Sequence, residues 1–457
     1  MKNIINPFLD RGPVREPALF FGRNDEARKL VQAIGANVPN SVSIIGEKRI
    51  GKTSLLNYLA APNGALKKFA SFLARKPEDY IFIHADLSKL KIAGENSALF
   101  FFRLLFKQLD KVVQEKTGRS SSIYKTYHNN PNLQDLVEFG FAEYLDEMHR
   151  LYPRMVFIFL LDEAEPLIRQ GVGAILRSLI EDRPISFILA TRLPLVEIDP
   201  ESEVSPLFNI LSDTIQLGLL DQAEARQMIR EIAASEGQRF SESELDFIIQ
   251  ISGGHPNFAK VTARRVLEFQ IEKKKFDPDL IRIQVYEELE SACQSLWKNM
   301  EPEEQSLCAW MASGQSPDKT STSAARSLLQ KGILSESEKF FSPLFLEFLA
   351  NKETQAPFFT PQVRFENKII RIGEAVMQVS PLELKLFQYL HDRLGQICSR
   401  EELHLAIWEK KYDPKNQVKM NMTIKRLRDK LQKDVPGVMS LRLERGQGYR
   451  LLFDRRR

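Results

Sequence analysis

Through the first half of the chain, short unbroken runs of β-branched and aliphatic residues alternate with segments whose apolar positions recur every three or four residues. The runs Ser41–Ile45, Tyr80–Ala85, Met155–Leu161, Ile185–Ala190 and Thr214–Leu217 have the length and continuity of strands buried on both faces. With helices between them they predict a five-stranded α/β sheet. From about residue 221 to 352 the spacing is helical, broken by a polar stretch from Ser313 to Ser323. After Ala356–Pro361 the pattern changes again. Val363–Ile372 alternates like one strand, and Ser380-Pro-Leu-Glu383 opens a helix with a capping serine and a glutamate three positions on. Ser399-Arg-Glu-Glu opens a second helix by the same logic, and a third spans about Val418–Gln432. Leu441–Leu452 reads as two strands around a glycine turn. The expected class is multidomain, α/β followed by α+β. Its segments are a core at 1–220, a helical lid at 221–282, a small helical module at 283–352 and a C-terminal domain at 357–457.

Composition narrows this picture without redirecting it. At 457 residues, 43% hydrophobic and 27% charged, the chain is ordinary globular protein of about three domain lengths at ~150 residues each. No run of about 18 apolar residues and no leader-like start is present, so a cytoplasmic protein with no membrane partner is expected. Cys293, Cys308 and Cys398 are too far apart for a zinc knuckle, and each sits in an apolar helical pattern, which predicts core thiols. The net charge of +4 hides an asymmetry. Pro357–Arg457 holds 21 basic and 12 acidic residues, so this segment carries +9 and the remainder −5. Phosphate backbones attract basic modules by counterion release, which places any nucleic-acid site in the last hundred residues.

The first candidate chemistry follows the first strand. Gly46-Glu-Lys-Arg-Ile-Gly-Lys-Thr53 lies between that strand and the helical run Ser54-Leu-Leu-Asn-Tyr-Leu59, which is a complete P-loop. Gly46 and Gly51 let the backbone curl so that N–H groups face phosphates at a helix N-terminus. Lys52 then reaches the β- and γ-phosphates, and the Thr53 hydroxyl ligates magnesium, with Ser54 beside it. Met155–Leu161 ends in Asp162-Glu163. Asp162 is expected to hold Mg2+ and Glu163 to activate the attacking water. Helix capping is the competing reading of this acidic pair.

A sheet in which another strand separates the P-loop strand from the Asp162 strand has the order of the additional-strand glutamate ATPases, the AAA+ and STAND group. The resemblance becomes specific at Asn6-Pro-Phe8 with Phe20-Phe-Gly-Arg-Asn-Asp-Glu26, and at Gly253-Gly-His-Pro256. The first is similar to the N-terminal motif of STAND-type ATPases, whose Gly-Arg-acidic turn lies beside the adenine; this implies Gly22 and Arg23. The second resembles the glycine-x-proline motif of their lid, which implies Pro256 at the base or sugar. Thr191-Arg192 follows the fourth strand, where such enzymes keep a polar sensor; a surface ion pair is the competing reading of Arg192. For an arginine finger, Arg177, Arg183 and Arg192 remain open. The end of the helical module, Leu328–Leu334 with Phe340–Phe348, is similar to the small winged helix that follows the lid in STAND proteins.

The C-terminal segment closely resembles the winged-helix output domains of OmpR/PhoB-type response regulators. Ser380-Pro-Leu-Glu, Ser399-Arg-Glu-Glu-Leu with Trp408, Ile424-Lys-Arg-Leu-Arg-Asp-Lys-Leu431 and Arg445-Gly-Gln-Gly-Tyr-Arg450 carry the likeness. It implies a third helix in the major groove and a wing on the backbone or minor groove. Helical spacing places Met420, Ile424, Leu427 and Leu431 on one core stripe. Lys425 and Arg426 then project away from it with Met422 between them, Asn421 and Arg428 on one flank and Lys419 on the other. With Arg445 on the wing, these residues form the expected face toward double-stranded DNA. A solvated basic face is the alternative. Together the two halves predict an ATP- or ADP-binding, Mg2+-dependent, slow switch-type ATPase that gates a DNA-binding regulator, with a homo-oligomer in the ATP state and a protein trigger as further expectations. The rival expectation is a signalling or defence-type assembly protein that uses DNA as a tether.

Overall fold

The computed structural model describes residues 6–9, 12–88, 97–169, 172–180, 183–198, 211–312, 323–335, 339–353, 363–366, 368–372, 375–393, 396–408, 417–435, 439–444 and 448–453. The chain divides into two compact units, Met1–Gln355 and Ala356–Arg457. In the first, β1 (Ser41–Gly46), β2 (Tyr80–Asp86), β3 (Val156–Asp162), β4 (Ile185–Thr191) and β5 (Leu211–Leu217) form a parallel sheet in the order β2-β3-β4-β1-β5. Every residue of β1, β3 and β4 is buried, because helices cover both faces; that is why these segments read as continuous apolar runs. Within β3 the side chains still alternate. Phe157, Phe159 and Leu161 enter one core, against the helix Ser97–Thr117 and its neighbours, and Val156, Ile158 and Leu160 enter the other. That second core is closed by α1 (Asn24–Ile34) and α2 (Lys52–Ala60).

Among the described residues after β5, the first unit has seven helices: α3 (Gln222–Ser235), α4 (Glu242–Ser252), α5 (Pro256–Ile271), α6 (Pro278–Lys298), α7 (Pro302–Ala312), α8 (Ser323–Gln330) and α9 (Pro343–Glu353). Asp221 and Ser241 begin α3 and α4 with reciprocal capping boxes to Glu224 and Glu244. All seven contribute to one apolar core, so the segments expected as lid, 221–282, and as helical module, 283–352, share one core. Cys293 and Cys308 lie in this core, and burial pushes both thiols up to about 12. An isolated antiparallel bridge between Leu334 and Phe340 accompanies α8 and α9. Of the polar stretch Ser313–Ser323, residues 313–322 lie outside the described residues; Ser323 starts α8.

In the second unit a three-stranded antiparallel sheet, β6 (Val363–Glu366), β7 (Ile369–Ile372) and β8 (Ala375–Gln378), precedes three helices. The single strand expected over Val363–Ile372 is a hairpin. Alternation continues through both strands, but Lys368 takes a left-handed φ of 64° and reverses the chain. The helices are α10 (Pro381–His391), α11 (Arg400–Trp408) and α12 (Gln417–Asp434), followed by the hairpin β9 (Met439–Glu444) and β10 (Gly448–Phe453). The Ser380–Glu383 and Ser399–Glu402 pairs each bond reciprocally with backbone N–H groups at helix starts. Cys398 is a buried core thiol, but not in a helix. Its N–H and carbonyl bond with Tyr449 at 2.8 and 2.9 Å, since the edge of β10 needs a partner and the segment before α11 supplies one.

Three backbones of the first unit meet at Gly253-Gly254. Gly253 has φ 55°, and a Cβ there would lie 1.6 Å from the Phe341 carbonyl oxygen; at Gly254, φ 84°, it would lie 2.2 Å from that of Leu220. The Leu220 N–H also donates to the Gly254 carbonyl at 3.0 Å. Gly253→Ala is therefore expected to cost about 3 kcal/mol through left-handed strain and displaced backbone, read as a lowered midpoint in urea unfolding of the full chain.

Candidate functional site

The carboxyl ends of β1, β3 and β4 converge on one cleft. Gly51, at φ 115°, turns the loop after β1 into α2, and Gly46 is packed so tightly that a Cβ would lie 2.8 Å from Ile50 Cγ2 and 3.0 Å from the Leu217 carbonyl. Lys52 is buried, and its ammonium donates to the carbonyls of Gly46 at 2.7 Å and Glu47 at 3.2 Å. Burial lowers its pKa, opposed by the charges of Glu163, Asp162, Glu165 and Glu47. Across β4, the Thr53 hydroxyl donates to Asp162 Oδ2 at 2.6 Å. Glu163 follows with a left-handed φ of 53°, its N–H bonded to Asp162 Oδ1 at 3.1 Å. A non-glycine residue held in that region stores strain of ~1–3 kcal/mol, a feature that concentrates at functional sites.

Arg192 ion-pairs with Glu163, and its backbone N–H donates to Glu165 at 2.8 Å. The ion-pair reading of Arg192 is what the geometry shows, with the partner being the acidic residue of the cleft. Arg183 is committed elsewhere, with bonds of 2.7 and 2.8 Å to the two oxygens of Asp146.

The far end of the cleft is apolar. Its cavity of about 260 Å3 is lined by Phe20, Phe21, Leu220 and Met228 as well as by Arg23, Lys52, Thr53, Ser54, Glu163 and Pro256. Gly22 and Arg23 have left-handed φ values of 69° and 57°, and Arg23 bonds to Glu26 and to the Gly218 carbonyl, which ties the turn to the end of β5. The Ser54 hydroxyl accepts the Val14 N–H at 3.0 Å, while Asn57 donates to the Val14 carbonyl at 2.9 Å. An N-terminal strap is thereby laid along α2. Asn6 and Phe8, by contrast, dock on the lid: the Asn6 amide donates to the Arg264 carbonyl at 3.2 Å and Phe8 is buried in the helical core. The sequence reading missed Leu220, Met228 and Asn257. Helical spacing marks Met228 only as an inward position, and its cavity is formed by elements remote in the chain.

His255 caps α5 by accepting the Asn257 N–H through Nδ1. Burial, with the charges of Arg23 and Arg49, pushes its pKa down to about 3. Asn257 accepts from Arg49 of the loop at 3.1 Å, so loop and lid touch directly. The donor set suits a magnesium nucleotide: two hard oxygens from Thr53 and Asp162 for the metal, N–H groups at a helix start for phosphate and an apolar wall for a base.

In the second unit Met420, Ile424, Leu427 and Leu431 are all buried, as the stripe requires, and each contributes ~1.5–3 kcal/mol of burial. Lys419, Asn421, Met422, Lys425 and Arg426 are exposed on the opposite side. Arg428 departs from the expected face. It is half-buried and its Nε donates to the Leu441 carbonyl at 3.1 Å, because its position one residue after Leu427 lies over β9. Lys430 likewise turns inward to Glu383 at 2.7 Å. Arg445 lies outside the described residues.

Residues 373–451 match the family model described as transcriptional regulatory protein, C terminal; the second unit is an OmpR/PhoB-type winged helix. No curated protein matches the chain by sequence. Among solved structures, the Walker-type ATPase of Pyrococcus abyssi is similar at 16% identity and TM-score 0.50, over 75% of this chain and 99% of that one. The Aeropyrum pernix ORC2 protein in its ADPNP–ADP complexes gives 14% and 0.47, over 77% and 98%. ORC1 of the same organism in complex with DNA gives 12% and 0.40, over 98% and 93%. The first likeness is one of fold, that of a P-loop ATPase. Among the described residues no helix is long and apolar enough to cross a membrane.

Lys52→Ala removes the ammonium expected to neutralise terminal phosphates and should lower affinity for ATP by at least tenfold, or about 1.4 kcal/mol, measured by fluorescent-nucleotide titration. A second expectation concerns acid. Since His255 is held neutral, the unfolded chain binds a proton between pH 6.5 and about 3 that the folded chain does not, so stability falls as pH drops through that window. Asn also caps helices; His255→Asn should therefore lose less stability between pH 7 and pH 5 than the parent in urea titrations, and equal losses would count against the assignment.

Proposed function

We propose that the chain is a nucleotide-gated DNA-binding regulator, in which ATP binding and slow hydrolysis in the first unit control access of the winged helix to DNA. The observation that carries this reading is the joining, in one chain, of a P-loop with its Thr53–Asp162 contact and a transcription-regulator winged helix with an exposed basic face on its third helix. Segments 1–220, 221–282, 283–352 and 357–457 are taken as the working parts: core, lid, small winged-helix-like module and DNA-binding domain.

In this reading Lys52 leaves the loop carbonyls for the terminal phosphates, and the loop N–H groups hold the remaining phosphate oxygens. Thr53 and Asp162 hold Mg2+, which when bound supplies charge neutralisation for phosphoryl transfer. Glu163 orients and deprotonates the attacking water once Arg192 no longer engages its carboxylate, since a paired carboxylate is a weak base. Arg192 then serves as the polar sensor. Gly22, Arg23 and Pro256 border the base and sugar. An ATP-state homo-oligomer and a protein trigger complete the proposed switch. Genome-wide recovery of bound DNA from cells carrying the parent or Lys52→Ala chain tests the whole reading. A short set of promoters, lost or altered in the variant, supports a regulator; uniform recovery across the genome would refute it.

Within the winged helix, Arg426 is placed to read a base edge, and Lys419, at the start of α12, to contact phosphate. Arg426→Ala is expected to cost ~1–3 kcal/mol on a specific duplex and relax preference at one position. Lys419→Ala should weaken specific and scrambled duplexes alike and flatten the salt dependence. Arg428→Ala should instead lower the stability of the second unit by about 1 kcal/mol through its lost bond to β9. Binding titrations at two salt concentrations, alongside thermal unfolding, distinguish these outcomes.

A further inference from the structure

The second residue of the P-loop faces away from the nucleotide cleft. Glu47 is 6% exposed, and one of its carboxylate oxygens accepts from Nδ2 of Asn299 at 3.4 Å. Asn299 is the C-cap of α6, so the phosphate loop is joined directly to the helical module. Burial raises the pKa of Glu47, opposed by its bond to Asn299 and by the charges of Lys331, just after α8, and Lys52. The ammonium of Lys331 is fastened to both oxygens of the buried Glu304 at 2.8 and 2.9 Å. Glu304 in turn holds the start of α7 through the Glu301 N–H at 2.8 Å. Glu47, Asn299, Lys331 and Glu304 are thus one linked set of polar groups spanning loop and module. Other contacts of the module lie toward the base end of the cleft, Gly332 against Leu219 and Phe341 against Gly253.

Lys52 connects this set to the phosphates. Its ammonium donates to the backbone carbonyl of the same Glu47, and its charge helps to offset the burial of the Glu47 carboxylate. A nucleotide that draws Lys52 away removes that compensation and adds negative charge to the cradle. A triphosphate does both to a greater degree than a diphosphate. The balance then falls on Asn299 and Lys331, whose module must hold the carboxylate alone, let it take up a proton and lose its pairing, or release it. An uncompensated buried carboxylate is costly enough to move a packed interface.

We propose that Glu47 is a positioning residue that couples the number of phosphates on the P-loop to the docking of α6–α8 through Asn299 and Lys331, so that the docked module favours ADP over ATP. This rests on the reading that the cleft binds nucleotide. The test uses the full chain and measures dissociation constants and release rates for fluorescent ADP and a non-hydrolysable ATP analogue. Asn299→Ala should weaken ADP about tenfold, within the usual range of coupling between sites, and leave the ATP analogue within about twofold. Asn299→Asp sets a second carboxylate against Glu47 and should exceed it in the same direction. Lys331→Met should change the ADP-to-ATP ratio in the same sense. Glu47→Gln combined with Asn299→Ala should be no weaker for ADP than Glu47→Gln alone, as expected for one shared interaction. Equal losses for both nucleotides would reduce Glu47 to loop packing, and unchanged affinities would remove the coupling; either overturns the proposal. Lys52→Ala keeps the two readings apart. If it abolishes binding while Asn299→Ala changes nothing, the cleft reading stands and the coupling falls; if it binds both nucleotides normally, both fall.

Discussion

The hydrogen bond from Thr53 to Asp162, 2.6 Å long, depends on two strand ends arriving at the same height on either side of β4. Thr53 is one residue into α2 and Asp162 is the last residue of β3, so a one-residue slip in either strand would separate them by a pleat. The fully buried β1, β3 and β4 guard against that slip. Each has side chains in cores on both faces, and a shift would send every Phe and Ile of β3 to the wrong core. The apolar runs that make the sheet are therefore also what holds the Thr53–Asp162 oxygen pair in register.

Around that fixed pair, the rest of the cleft is built from charges that balance one another. Lys52 and Arg192 face Asp162, Glu163 and Glu165 on one side of the loop, while Glu47, Lys331 and Glu304 face each other on the other. Few of these groups are well solvated, so moving any one of them changes the cost of the others. On the proposed reading, a phosphate chain entering such a site would change the pairing of Lys52 and, through it, the environment of Glu47. Near the other end of the cleft, Gly253 and Gly254 let the backbones around Leu220 and Phe341 approach without intervening side chains.

The second unit follows a simpler division of labour. One side of α12 is apolar and holds the wing hairpin and α10; the other presents cations and an asparagine to solvent. Arg428 and Lys430 show how the charge count overstates the binding face. Both are basic and lie on the helix that carries the exposed cluster, yet each spends donors on holding the domain together. The excess of positive charge in this segment is partly structural.

The sequence by itself determined the five strands of the parallel sheet, the P-loop, the acidic pair at the end of β3, the capped helices of the winged domain and the core stripe of α12, but not β8. Each is written in consecutive residues or in a fixed period, and local sterics and burial convert such patterns into structure with little help from afar. The hairpin at Lys368 and the bridge at Cys398 were beyond it, because alternation does not reveal where a strand turns and a short apolar segment does not reveal its pairing partner. Only the tertiary structure decided that Arg192 pairs with Glu163, that Met228 and Leu220 wall the cleft, that Arg428 turns to β9 and that Glu47 meets Asn299, 252 residues away. Those partners are chosen by the packing of elements far apart in the chain, and the direction of a long charged side chain is set by whichever neighbour lowers the cost of its burial.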